Sequence, residues 1–201
     1  LIQYTRQSVF LTGKAGTGKS TFLRYVCEHT KKKHVVLAPT GIAAINAGGV
    51  TIHSFFQVPF APYVPESSFS ADGKATYRFR YGKEKINIIR SIDLLVIDEI
   101  SMVRADLLDS VDAVLRRFRD RNKPFGGVQL LMIGDLQQLS PVVKDDEWQM
   151  LRKYYDTPYF FSSQALKQTE YCTIELKKVY RQNDGTFLEL LNRIRENRCD
   201  G

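Results

Sequence analysis

A short apolar run that passes directly into a glycine-rich loop, SVFLTGKAGTGKS at residues 8–20, sets the architecture of this chain. Residues 13–20 match the pattern G-x-x-x-x-G-K-S/T in full. Glycines in such a loop let backbone N–H groups curl around phosphate oxygens, and the positive end of the following helix adds to the attraction. Because the loop lies between a predicted strand and a predicted helix, it predicts a triphosphate site rather than a plain glycine-rich turn.

The chemistry of this loop assigns a role to each part of it. Lys19 would reach the β- and γ-phosphates of a nucleotide, and the hydroxyl of Ser20 would bind Mg²⁺. The backbone of the loop would hold the remaining phosphate oxygens. The predicted phosphate-binding residues are Gly13, Lys14, Ala15, Gly16, Thr17, Gly18, Lys19, Ser20 and Thr21.

A second motif, LLVIDE at residues 94–99, supplies two carboxylates at the end of an apolar run. A buried strand can place Asp98 beside the metal, and Glu99, which should face the other way, can polarise an attacking water. Two acids just before a helix are also common without any catalytic role. Together with the loop at residues 13–20, the pair favours hydrolysis, since a kinase has less need of the second acid.

Apolar runs and helical periods alternate along the chain. The predicted strands are residues 8–12, 34–38, 94–97, 128–133 and 172–176, and the predicted helices are 20–30, 41–47, 104–121 and one from near Thr186. This alternation indicates an α/β fold with a mostly parallel sheet and helices on both faces, in one domain over residues 1–201. Residues 58–85, rich in Pro, Ser and Gly, are predicted to be an irregular insertion.

Composition narrows the class of protein. Hydrophobic residues make up 43% and charged residues 25%, and 29 Lys and Arg against 22 Asp and Glu give a net charge of +7. The excess of basic residues fits a polyanionic partner or a merely basic surface.

The three cysteines are far apart in the sequence, so neither a disulfide framework nor a zinc site is expected, and a reducing compartment is. No apolar run is long enough for a membrane span. The basic residues 116, 117, 119, 121 and 123 are predicted to form a solvated face.

The segment GDLQQLSP, residues 134–141, follows a predicted strand and carries polar side chains. An amide at the carboxyl end of a strand near the phosphate loop can sense a γ-phosphate. Its residue types are equally ordinary in a turn. Both interpretations are open from these residues alone.

Five segments in this order resemble one family: GKAGTGKS, APTGIAA followed by TIHSFF, IDEIS, GDLQQLSPV and VYRQNDGTFLELLNRIR. They are similar to the Pif (petite integration frequency) helicases, which are related to the RecD group in superfamily one. The resemblance covers residues 8–195. It implies a RecA-like motor domain that uses ATP and Mg²⁺ to move five-prime to three-prime on single-stranded DNA.

The resemblance also implies roles for individual residues. Gln138, with Asp135 beside it, corresponds to the γ-phosphate-sensing glutamine, and Arg181 to an arginine that stabilises charge in phosphoryl transfer. The predicted catalytic residues are therefore Lys19, Asp98, Glu99, Gln138 and Arg181. The predicted metal ligands are Ser20 and Asp98. The predicted DNA-contacting residues are Thr40, Gly41, His53, Ser54 and Phe55. From the residues alone, Arg181 could be a surface arginine, His53 a packed neutral histidine, and Phe55 a core residue.

Two departures from the family pattern limit the site. The adenine-recognising glutamine expected upstream of the phosphate loop is not evident, and a second motor domain would follow Gly201. ATP would lie between two such domains, so this one alone should hydrolyse it poorly. The expected partners are single-stranded DNA, duplex junctions and the second motor domain of the same polypeptide, and no membrane is expected to be involved. We expect a monomer inside the cell, in the bacterial cytoplasm or in the nucleus or mitochondrion of a eukaryote. The rival interpretations are a P-loop kinase and a non-catalytic nucleotide- or DNA-binding module.

Overall fold

The computed structural model describes residues 1–64 and 81–180, and these residues form one parallel sheet covered by helices. The strands are β1 (Ser8–Gly13), β2 (His34–Ala38), β3 (Val50–Thr51), β4 (Leu94–Ile97), β5 (Gln129–Ile133) and β6 (Tyr171–Leu176). They lie in the order β3-β2-β4-β5-β1-β6, and every neighbouring pair is parallel. The predicted α/β class with a parallel sheet is confirmed.

Seven α-helices connect or flank these strands in the described residues. They are α1 (Lys19–His29), α2 (Gly41–Ala47), α3 (Ile52–Phe56), α4 (Lys83–Ser91), α5 (Ala105–Phe118), α6 (Asp145–Leu151) and α7 (Gln164–Lys167). Short 3₁₀ turns occur at Ile100–Met102, Pro124–Gly127 and Phe160–Ser162.

The central strands are apolar throughout because both faces of the sheet are covered. Every residue of β4 and of β5 is buried. Alternate residues enter two separate cores: Leu95 and Ile97 of β4 join the α5 side, whereas Leu94 and Val96 join the α1 side. This period of two is what a pleated strand requires when it is buried on both faces.

The sequence predicted the bounds of most strands and helices closely. The five predicted strands and the helices at 20–30, 41–47 and 104–121 are confirmed within one to three residues at each end. The short elements β3, α3, α4, α6 and α7 were not predicted. The insertion does not extend to Lys85, because α4 begins at Lys83; residues 65–80 and the helix predicted from Thr186 lie outside the described residues.

The basic cluster at the end of α5, residues 116–123, is only partly a solvated face. Arg116 pairs with Asp112 at 2.8 Å, and the guanidinium of Arg119 donates to the carbonyls of Ile89 and Arg90. Arg119 therefore holds the end of α5 against α4, whereas the Arg116–Asp112 pair lies within α5. Arg117, Arg121 and Lys123 are exposed, as predicted.

Cys27 and Cys172 are free thiols. Among residues 1–64 and 81–180, no helix is both long and apolar enough to span a bilayer.

Candidate functional site

The loop between β1 and α1 has a backbone that only glycine allows at two key positions. Gly13 has a φ of +151°, and a Cβ there would lie 2.6 Å from the carbonyl oxygen of Leu176 on β6. Gly18, the N-cap of α1, has a left-handed backbone with a φ of 96°. The glycines thus let the chain turn sharply between strand and helix, which leaves the N-terminus of α1 facing into the loop.

Side chains of the loop bond to its own carbonyls. The ammonium of Lys19 donates to the carbonyl of Gly13 at 2.6 Å and to that of Lys14 at 3.2 Å. The hydroxyl of Thr17, which is buried, donates to the same Lys14 carbonyl at 2.8 Å. Lys19 is therefore held over the concave side of the loop, where phosphate oxygens could replace these carbonyls as acceptors. Ser20 and Thr21, in the first turn of α1, are exposed.

The two acids follow β4, but they do not face opposite ways. Glu99 has a left-handed backbone, with φ 51° and ψ 43°, and begins a 3₁₀ turn instead of continuing the strand. Asp98 and Glu99 consequently line the same cavity of about 700 Å³, together with Ser20 and Gln138. A non-glycine residue in this conformation is strained, which is frequent at functional sites.

The electrostatics of this cavity favour the binding of a cation. Burial raises the pKa of the Asp98 carboxyl, against the N–H of Glu99 and the charge of Lys19, which lower it. Burial also raises the pKa of the Glu99 carboxyl, and the negative charges of Asp98 and Asp135 add to the shift. The carboxylates of Asp98 and Asp135 thus repel that of Glu99, and a divalent cation bound there would relieve the repulsion.

The donor atoms present suit magnesium. A serine hydroxyl and a carboxylate are oxygen ligands, and Mg²⁺ in nucleotide sites uses one or two protein oxygens together with phosphates and water. Within the described parts of the chain, no group of three or more His, Cys, Asp or Glu could form a metal cage. Ser20 and Asp98, which line the same cavity, would offer such oxygen ligands.

The loop after β5 presents Gln138 to the cavity. The buried carboxylate of Asp135 accepts bonds from the side-chain amide of Gln138 at 3.0 Å and from the backbone N–H of Gln137 at 3.1 Å. Because β5 lies between β1 and β4, this loop lies between the phosphate loop and the two acids. Asp135 thus orients the side chain of Gln138, for which the residues of this loop alone left open either a sensor or an ordinary turn.

Tyr180 is a residue at this site that sequence reasoning missed. Its backbone N–H donates to the carbonyl of Gly16 at 2.9 Å, and its side chain is 66% exposed beside the phosphate loop. The ammonium of Lys178 lies 5.0 Å from its ring centre. The signal in the sequence was an aromatic residue next to Arg181, which itself lies outside the described residues.

The predicted DNA-contacting residues divide into an exposed group and a buried one. Thr40 and Gly41 are exposed at the start of α2, where the Thr40 hydroxyl accepts the N–H of Ala43, and Ser54 is exposed on α3. His53 is half-buried. The prediction for Phe55 is corrected: its ring is buried, with the Lys85 ammonium 3.6 Å from the ring centre, so it packs in the core.

Comparisons with known proteins find similar sequences and similar structures. The family model described as PIF1-like helicase matches residues 1–200. The chain is 41% identical to the ATP-dependent DNA helicase PIF1 of Homo sapiens over 96% of this chain and 28% of that protein. It superposes on a structure of Pif1 helicase from Bacteroides with ADP-AlF3 and single-stranded DNA with a TM-score of 0.90, at 45% identity over 99% of this chain and 44% of that one.

A structure that addresses DNA unwinding at forked duplex DNA by two coordinating Pif1 helicases gives the same TM-score, 0.90, at 45% identity, over 100% of this chain and 47% of that one. The chain therefore spans less than half the length of each of these proteins.

Proposed function

The chain belongs to the family of PIF1-like helicases, and from that premise we propose that it is the first motor domain of an ATP-dependent DNA helicase. In the whole protein, hydrolysis of Mg-ATP drives translocation from five-prime to three-prime along single-stranded DNA and opens duplex junctions. The nucleotide lies between this domain and a second motor domain of the same polypeptide. The whole polypeptide acts within the cell as a monomer.

One observation carries the proposal. Ser20, Asp98, Glu99 and Gln138 come from three separate segments of the chain, yet they line a single cavity at the carboxyl ends of the parallel strands. Ligands of open α/β sheets bind at this edge. A metal-binding hydroxyl, a metal-binding carboxylate, a base and an amide sensor are the parts that ATP hydrolysis requires.

Each residue has a separate task in this proposal. Lys19 moves its ammonium from the loop carbonyls to the β- and γ-phosphates. Asp98 and Ser20 would hold Mg²⁺, which when bound would neutralise charge on the phosphates. Glu99 accepts a proton from the attacking water. Gln138 and Arg181 sense the γ-phosphate.

Replacement of Lys19 by alanine in the full-length protein tests the proposal. We expect loss of ATP hydrolysis and unwinding, because the ammonium no longer compensates phosphate charge, while affinity for single-stranded DNA stays within about twofold. Lys31→Ala is the matched control, since Lys31 is exposed and lies just beyond the far end of α1. Unwinding by the Lys19→Ala variant at the rate of the control would contradict the mechanism.

DNA dependence separates this function from its rivals. A kinase would transfer phosphate to an acceptor and would not need DNA, whereas a motor should hydrolyse ATP faster when single-stranded DNA is added. The DNA affinity of a motor should fall with salt, with a log–log slope of roughly −0.7 per phosphate contacted. A non-catalytic module would show that salt dependence without DNA-stimulated hydrolysis.

A further inference from the structure

The segment that follows α3 carries an exposed phenylalanine on a firmly anchored backbone. Val58 is buried before it, and after it the N–H of Tyr63 donates to the buried carboxylate of Asp106 at 2.9 Å. Phe60, between these anchors, is 83% exposed. A single exposed ring needs no partner by itself, so the case for one depends on what surrounds Phe60.

Phe60 stacks on a second ring. The rings of Phe60 and His53 lie with centroids 4.4 Å apart and planes 18° from parallel. Burial and then the charge of Arg104 lower the pKa of His53, while Asp106 opposes the shift, so the imidazole is neutral at pH 7. One face of Phe60 is thus occupied by a neutral ring, and the side chain remains largely open to solvent.

A cavity of about 230 Å³ opens beside this pair of rings. Its lining includes Thr40, His53, Phe60, Met102, Arg104 and Val142. Thr40 and Met102 also line the larger cavity that contains Ser20, Asp98, Glu99 and Gln138, the proposed nucleotide cavity, so the two cavities share a wall. Val142 belongs to the loop that carries Gln138, four residues earlier. An occupant of the smaller cavity would therefore touch the segments that surround the nucleotide.

The charges at this cavity are already paired. Arg104 donates two bonds to Asp106, at 2.8 and 2.6 Å, and a third to Glu147 at 2.8 Å. With its guanidinium satisfied by carboxylates, Arg104 has little to offer a phosphate. The surface therefore presents stacked rings and apolar groups, which suit a planar base better than a charged backbone.

We propose that Phe60, stacked on His53, is a platform on which one unpaired base of single-stranded DNA stacks. The proposal rests on the motor function above and adds a base-contacting residue to it. The platform accepts any base, because every base has an aromatic face, and it contributes affinity without neutralising a phosphate. It places that base against the wall shared with the nucleotide cavity.

The test compares three variants of the full-length protein. Phe60→Leu keeps the apolar bulk and removes the ring, Phe60→Trp keeps a ring, and Phe161→Leu is the control. Phe161 is also an exposed ring, 39% accessible and stacked on Tyr159 with centroids 5.4 Å apart, but it does not line the cavity.

Binding of labelled single-stranded DNA gives the first readout. Phe60→Leu should weaken it about tenfold, equivalent to about 1.4 kcal/mol, within the range of one base–aromatic stack. Phe60→Trp and Phe161→Leu should stay within about twofold of wild type. The salt dependence should keep its slope in Phe60→Leu, because no phosphate contact is lost. Equal affinity of Phe60→Leu and wild type, or a shallower salt slope, would overturn the platform.

A fluorescent base gives the second readout. With 2-aminopurine placed at successive positions of the strand, one position should be quenched by stacking in wild type and recover its fluorescence in Phe60→Leu. Weakened binding with no position-dependent signal would assign Phe60 to a protein contact and overturn the base site. ATP binding and DNA-free hydrolysis should be unchanged in Phe60→Leu, so failure of the platform is distinguishable from failure of the motor proposal, which would appear in wild type.

Discussion

Removal of the Asp106 carboxylate should both destabilise the domain and release the segment that carries Phe60. Asp106, 2% exposed, accepts two bonds from Arg104 and one from the N–H of Tyr63. An alanine at this position leaves a guanidinium and a buried amide without their acceptor. Removing one partner of a buried ion pair costs roughly 3–5 kcal/mol.

The lower end of that range applies here, because Arg104 keeps Glu147 at 2.8 Å. We therefore expect a loss of about 3 kcal/mol in the free energy of unfolding, and at about 3 °C per kcal/mol for a domain of this size, a fall in Tm of about 9 °C. Urea unfolding followed by circular dichroism measures the first quantity, and a thermal scan the second.

Asp156→Ala is the matched control. Asp156 also pairs with a basic residue, Lys167, at 2.9 Å, but its side chain is 82% exposed. Exposed pairs contribute less than about 1 kcal/mol, since water screens them. If Asp106→Ala and Asp156→Ala differed by less than about 1 kcal/mol, the claim that the Arg104–Asp106 pair supports this region would be refuted.

Three further changes have defined outcomes. Gly13→Ala should abolish binding of a fluorescent ATP analogue, because the new Cβ would lie 2.6 Å from the Leu176 carbonyl oxygen; retained binding would contradict the loop geometry. Gln138→Glu sets a carboxylate against Asp135, so DNA-stimulated phosphate release should fall at least about tenfold while nucleotide binding persists; full activity would remove Gln138 from the sensor role. Lys32→Met deletes three hydrogen bonds to the N-terminal segment and Gln129, so the free energy of unfolding should fall by about 2 kcal/mol. Amide exchange at residues 2–7 should become faster. Unchanged exchange there would show that Lys32 does not anchor the segment.

Sequence reasoning succeeded where a few consecutive residues carry the whole requirement. The glycines of residues 13–18, the buried run ending at Asp98 and the polar loop from Gly134 each follow from local backbone and burial rules. It failed at Glu99, where the strand alternation was extended one residue too far. The left-handed residue there precedes a 3₁₀ segment whose Ile100 and Ser101 are buried, a feature that strand alternation does not reveal.

Other misses involve residues far apart in the chain. Phe55 and Phe60 are both phenylalanines near His53, yet one is buried under Lys85 and the other is 83% exposed. Aromatic residues suit a core and a stacking surface equally, so composition could not separate them. The bond from Tyr180 to Gly16 likewise spans most of the chain and exists only because β6 lies beside β1.

The order of residues along the chain determined that this protein has a glycine-rich loop of the phosphate-binding pattern, two acids after a buried strand, and a parallel sheet covered on both faces. Only the tertiary structure decided that β5 lies between β1 and β4, which brings Gln138 beside Ser20 and the acids around one cavity. The physical reason is that the period of a strand reports which faces are buried, whereas the choice of neighbouring strand depends on how the connecting helices pack across the sheet.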